Sequence, residues 1–138
     1  MDFPLESLHG LALAAAEAAS CAGDQQKYWE MHDRLFANQG QLEPWNAHAQ
    51  AVGLDVPAFE ECLNSHRNVA AIRRGMAEAR QLGVASTPCF LLGRTETDGA
   101  RVRVVSVLQG AKPFAVFKEQ IDRLLADSAG PARDGERR

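Results

Sequence analysis

The stretch Gly83–Gly93, GVASTPCFLLG, is where the chain changes character. Before it, apolar residues recur every three or four positions, as they do on helices; after it, they come in short β-branched and aromatic runs. A Thr87–Pro88 pair stands at the junction, with Cys89 directly behind it and an apolar run beyond. PCFLLG reads as a strand, and the Val-rich RVRVVSVLQG (101–110) as its partner. Between them Asp98–Gly99 is a strong turn signal, so the pair reads as an antiparallel hairpin.

Working backward from Gly83, RNVAAIRRGMAEARQLG carries Val69, Ile72, Met76 and Ala79 on one stripe. DVPAFEECLNS places Asp55 at a helix cap and Pro57 in the first turn, with Phe59, Cys62 and Leu63 facing inward. EPWNAHAQAVGLD is a shorter helix closed by Gly53. In residues 24–40, Tyr28, Trp29, His32, Leu35 and Phe36 make one apolar face, and this aromatic cluster is expected in the core, with His32 a satisfied core histidine. His9, His48 and His66 read as exposed or near caps. The Ala-rich residues 7–23 are a helix with Ser7 as N-cap and Gly23 as stop. Forward of the hairpin, KPFAVFKEQIDRLLADS is a last helix, with Phe114, Phe117, Ile121 and Leu124 in register. Residues 129–138 read as a disordered tail of Gly, Pro and charge. A lone hairpin is marginal in water, and no further strand is found for it.

The 138 residues suit one domain. The chain is 46% hydrophobic and 24% charged with a net charge of −3, so no basic stripe exists to neutralise phosphates and no nucleic-acid partner is expected. No apolar run is long enough to cross a bilayer. An acidic start, Asp2 and Glu6, argues against a signal peptide, which points to the cytoplasm for the chain as written. No histidine–cysteine spacing matches a zinc site, and no phosphate loop or serine nucleophile motif appears, so neither metal nor cofactor is expected.

Three cysteines, Cys21, Cys62 and Cys89, contain no C-x-x-C. Cys21 and Cys62 each fall late in a helix. They either pair where those helices meet, for roughly 3–4 kcal/mol of chain-entropy stabilisation in an oxidising compartment, or remain two buried thiols. A Cα separation beyond about 7 Å excludes the bond. Cys89 reads either as a small buried strand residue or as a lone thiol able to form one mixed disulfide.

The segments DFPLESLHGLALAAAEAASCAGDQQKYWEMHDRLFANQ and GLDVPAFEECLNS resemble the helical insertion of DsbA-like thiol-disulfide oxidoreductases, and GVASTPCFLLG through LQGAKPFAVFKEQIDRLL resembles the closing half of their thioredoxin fold. The resemblance covers roughly residues 2–126. It implies an α/β, thioredoxin-like single domain over 1–128, mostly helical, with insertion 7–83 and closing half 84–127. It also implies that the family's opening strand, C-x-x-C helix and second strand are missing, since Met1 precedes DFPL directly. A start lying upstream would then mean a periplasmic or extracytoplasmic protein.

By the same resemblance Thr87–Pro88 is a cis-Pro turn that holds an extended substrate strand, and the partners are protein or peptide thiols and disulfides. The chain would be incomplete and inactive alone as an oxidoreductase. Two alternatives stand beside this reading. One is a non-catalytic peptide-binding module that uses the same turn. The other is a glutathione-using relative of the kappa-class transferase or hydroxychromene-carboxylate isomerase type. The PCFLLG strand, deprived of its neighbour, is expected to be an exposed apolar edge that drives homo-oligomerisation or poor solubility.

Overall fold

The structure is a computed structural model and describes residues 2–97 and 99–128. Asp98 of the turn signal and the tail 129–138 lie outside the described residues. Contacts divide the chain into two compact units between Leu82 and Gly83.

The first unit is helical: α1 (Ala12–Gly23), α2 (Tyr28–Ala37), α3 (Trp45–Ala51), α4 (Val56–Ser65) and α5 (Val69–Gln81). α1 begins later than the Ser7 cap expected from sequence. Leu8 and His9 N–H both donate to Leu5 O, which closes a separate turn, and Gly10 interrupts the run before the helix proper. Ser7 therefore caps nothing. α4 starts as expected: the Asp55 carboxylate accepts from Ala58 N–H at 2.9 Å, and Pro57 lies in the first turn, where its missing N–H is not needed.

Ala18, Ala19 and Ala22 give α1 a thin face, and Met31, Leu35, Ala49, Leu54, Phe59 and the two half-cystines Cys21 and Cys62 pack into one cluster with it. A smaller cluster joins Ala16 to Ile72 and Met76 of α5, with Phe3 and Leu13 against it.

The buried face of α2 differs from the sequence expectation. Met31 and Leu35 are inside, Tyr28 is half-buried, and Trp29 and Phe36 are 67% and 63% exposed. His32 is not a core histidine. It sits in a surface row, its ring 5.2 Å from Trp29 and 4.6 Å from Phe36, with Nδ1 2.9 Å from Asp33. The alanine surface of α1 admits narrow aliphatic side chains closely, so the Met31–Leu35 pair wins over the bulkier aromatic face. His48, expected outside, is buried, with Nε2–H donating to Gln41 O at 3.1 Å.

Tyr28 O–H donates to Asp2 Oδ1 at 2.7 Å. Burial above all, then this hydrogen bond and the Asp2 charge, push the phenol well above its ordinary value. The unfolded phenol loses its proton first, at about pH 10. The stabilisation is therefore full below about pH 10 and declines as pH rises past it. Denaturant midpoints should fall more steeply above that pH in the wild type than in Tyr28→Phe; parallel slopes would refute the assignment.

The second unit is an antiparallel pair, β1 (Cys89–Thr95) and β2 (Val102–Gln109), followed by α6 (Phe114–Ser128). Cys89 faces Gln109 and Leu92 faces Ser106, but Gly93 faces Val104, so Val105 is the extra residue of a β-bulge. Gly93 is required there: a Cβ would lie 2.5 Å from Arg103 O and 2.8 Å from Val102 Cγ1. Gly93→Ala should destabilise the hairpin by about 1–3 kcal/mol, seen as faster amide exchange in β1 and β2 but not in α1–α5. Exchange unchanged in the strands would count against the close approach.

α6 docks through Phe117, whose ring meets Phe90 edge-on at 4.8 Å, and through Arg94 Nη2, which donates to Leu124 O at 2.7 Å. Phe114 and Ile121, expected to face inward with Phe117 and Leu124, are exposed. The hairpin offers α6 one narrow face, which covers only part of its apolar stripe.

Candidate functional site

Residues 84–88 lead from the positive-φ Gly83 into β1. The Thr87–Pro88 peptide bond is cis. Two contacts anchor the segment: Gly110 N–H donates to Pro88 O at 2.8 Å, and Gln109 Nε2 donates to Gly83 O at 3.0 Å. Gly110 itself takes a φ of +78°, which lets the chain turn back at the end of β2. Ala85 through Pro88 are exposed. The backbone N–H and C=O of Thr87 have no partner among the described residues. The sheet there has only the order β1–β2, so the far edge of β1 is unpaired among the described residues.

Cys89 is a free, half-buried thiol at the first paired position of β1. No second sulfur of its own unit accompanies it, because Cys21 and Cys62 both belong to the helical unit.

Cys21 and Cys62 are joined by a disulfide with a Cα–Cα distance of 5.8 Å. The local chain brings them together. Gln25, one turn past Cys21, clasps Asp55 through both backbone groups: its Nε2 donates to Asp55 O at 3.1 Å and its Oε1 accepts from Asp55 N–H at 2.8 Å. That clasp sets the start of α4 beside the end of α1, and two turns later Cys62 meets Cys21. Both sulfur residues are 1% exposed.

Polar side chains ring the bond. Asn68 Nδ2 lies 3.5 Å from each sulfur and Asp24 Oδ2 3.5 Å from Cys62 Sγ. Arg67 pairs with Asp24 at 2.6 Å. Glu17, a buried carboxylate, meets His66 Nδ1 at 3.1 Å. The sequence reading missed Asp24, Arg67 and Asn68 because only the helix packing brings them to the sulfurs. Among the described residues no cluster of histidine, cysteine and carboxylate could hold a metal.

A mostly helical unit followed by an antiparallel pair and a closing helix, with Thr–Pro at the entry to the first strand, is an α/β arrangement of thioredoxin-like type. The chain belongs to the thioredoxin family: the family model described as Thioredoxin matches residues 1–105. Its curated relatives carry other names. It is 38% identical over 99 residues to a Na(+)/H(+) antiporter NhaA 1 of Salinispora arenicola, covering 70% of this chain and 15% of the relative. It is 37% identical over 91 residues to the Na(+)/H(+) antiporter NhaA 3 of Salinispora tropica, covering 64% and 14%. It is 40% identical over 95 residues to the Na(+)/H(+) antiporter NhaA 1 of Mycolicibacterium vanbaalenii, covering 65% and 15%. The matched segment thus spans about one seventh of these relatives. No solved structure matches the chain. No helix among the described residues is long and apolar enough to cross a membrane.

Proposed function

We propose that this chain is a DsbA-like module of thiol-disulfide exchange whose part is to hold an extended, cysteine-bearing protein segment against the edge of β1 at Thr87. The observation that carries the reading is the exposed approach to β1, where, among the described residues, the Thr87 backbone has no partner and no further strand pairs with the adjoining edge. An extended peptide adds to such an edge through main-chain hydrogen bonds, which suit substrates of varied sequence. Exchange needs an attacking thiolate and a second sulfur to resolve the mixed disulfide. The 138 residues hold no C-x-x-C, so on their own they bind rather than turn over. The Cys21–Cys62 disulfide suits an oxidising, extracytoplasmic setting.

The test is paired. A cysteine-free extended peptide should shift the amide resonances of residues 84–87 and 89–92, while an insulin-reduction assay shows no multiple turnover. Shifts confined to the helical unit, or sustained turnover, would overturn the proposal. The same open edge supports association of two copies, and light scattering of a strictly monomeric protein at high concentration would remove that part.

The relatives favour a second reading of the partner. Each is named a Na(+)/H(+) antiporter, and the shared segment is a small part of it. On this reading the module works beside a cation-antiporter membrane domain and acts on cysteines presented there. Cross-linking Cys89 to a co-expressed antiporter domain in vesicles tests it: a specific adduct supports the pairing, and no adduct above that of Cys89→Ser removes it.

A further inference from the structure

Thiol–disulfide exchange runs through anions: a thiolate attacks one sulfur and expels the other as a thiolate. The surroundings of Cys21–Cys62 oppose both. Cys21 falls in the last turn of α1 and Cys62 in the last turn of α4, and at that end of a helix the backbone dipole is negative. Reactive cysteines commonly sit at a helix N-terminus, where the dipole favours the thiolate. Here the polarity is reversed at both sulfurs.

One side chain adds a full charge. Asp24 Oδ2 lies 3.5 Å from Cys62 Sγ, and the same oxygen accepts from Arg67 Nη2 at 2.6 Å, so the ion pair holds a carboxylate at the bond. Asn68 Nδ2, 3.5 Å from each sulfur, works the other way, since an N–H stabilises a thiolate. At equal distance the charge of a carboxylate outweighs a neutral amide. Asn68 touches both sulfurs alike, whereas Asp24 marks Cys62.

We propose that Asp24 is an electrostatic guard of the Cys21–Cys62 disulfide: its carboxylate, held at Cys62 by Arg67, slows exchange of that bond with external thiolates. Attack at Cys62 joins the reagent sulfur to Cys62 and frees Cys21 as a thiolate. Attack at Cys21 frees Cys62 as a thiolate 3.5 Å from the carboxylate. A second reagent thiolate then releases the reagent as its own disulfide and leaves two protein thiols, the electrons coming from the two reagent sulfurs. Either first step brings negative charge to Cys62, beside Asp24. The guard keeps the bond of the helical core out of exchange with partner thiols, and it operates whether or not a peptide binds at Thr87.

Two substitutions separate charge from packing, because both break the same ion pair. Asp24→Asn removes the carboxylate and leaves Arg67; Arg67→Gln removes the guanidinium and leaves the carboxylate uncompensated. The oxidised full chain is treated at low ionic strength with mercaptoacetate, whose reactive form is a dianion, or with cysteamine, whose thiolate form is a zwitterion. Alkylation in denaturant followed by mass measurement reads the reduction: Cys89 alone is labelled before it, and Cys21 and Cys62 are labelled as well after it. Relative to the wild type, mercaptoacetate should reduce Asp24→Asn at least about fivefold faster and Arg67→Gln at least about twofold more slowly. Both changes should be smaller with cysteamine.

Faster reduction of both variants would show that the ion pair is only a cover and would overturn the guard. So would an unchanged rate in Asp24→Asn, or an equal acceleration by the two reagents, which marks reduction through opening of the helical unit. Where Asp24→Asn fails to fold, Arg67→Gln decides alone: slower reduction supports the guard, and unchanged or faster reduction sinks it.

Discussion

Replacing both Cys21 and Cys62 by alanine is expected to lower the unfolding free energy of the helical unit by about 4 kcal/mol. The bond closes a loop with a sequence separation of 41 residues, and in the chain-entropy model that length sets most of the value. The unfolded chain gains the conformations the bond had denied it, whereas the folded contacts around two nearly inaccessible sulfurs change little. Against the 5–15 kcal/mol typical of a whole domain this is a large share, equivalent to roughly 15 °C or more in the melting midpoint. Urea unfolding of the oxidised, reduced and alanine forms measures it. A loss below about 1 kcal/mol in both reduced and alanine forms would mean that the bond constrains an ensemble already compact. A loss confined to the alanine form would place the effect in packing instead.

Phe59→Ala should cost about 3–5 kcal/mol. Phe59 is the largest fully buried side chain, 0% exposed, and shares its cluster with Met31, Leu35, Leu54 and the disulfide. Truncation loses the transfer energy of the ring and leaves a cavity that α1 and α4, tied by the disulfide, are poorly able to close. For the same reason the effects of Phe59→Ala and of removing the bond should not add. Phe36→Ala is the matched contrast: equal in chemistry but 63% exposed, it should change stability by less than about 0.5 kcal/mol. Chemical denaturation of the two variants side by side checks both numbers. Equal losses would mean that α2 turns its aromatic face inward after all.

Much of the architecture is written in local signals. Asp55 and Pro57 announce the start of α4, the stripe Ile72, Met76 and Ala79 matches the buried face of α5, and the shift of period after Gly83 precedes β1. The orientation of α2 is not local. Tyr28, Trp29, Met31, His32, Leu35 and Phe36 spread over an arc of about 160° at 3.6 residues per turn, so spacing alone allows two faces, and the alanines of α1 choose between them.

α6 shows the same limit from the other side. Its apolar stripe is wider than the hairpin that covers it, which leaves Phe114 at 80% exposed. His48 was readable in hindsight. Trp45, His48 and Ala49 follow the i, i+3, i+4 spacing of a buried stripe, but one short helix gives that pattern little weight. Of the candidate site, Thr87, Pro88 and Cys89 were legible as a motif. The unpartnered Thr87 backbone was not, because it depends on which strands the sheet contains.

The placement of the two tryptophans gives the protein a built-in pair of optical probes. Trp45 packs against the helical core, while Trp29 stands in solvent with the His32 ring 5.2 Å away. Their emission should therefore be separable: Trp45 is expected to report the loss of the core, and the exposed Trp29 to emit further to the red and report its surface row. A Trp29→Phe protein would yield a clean fluorescence readout of helical-unit unfolding, and a Trp45→Phe protein would follow contacts made on the outer face of α2.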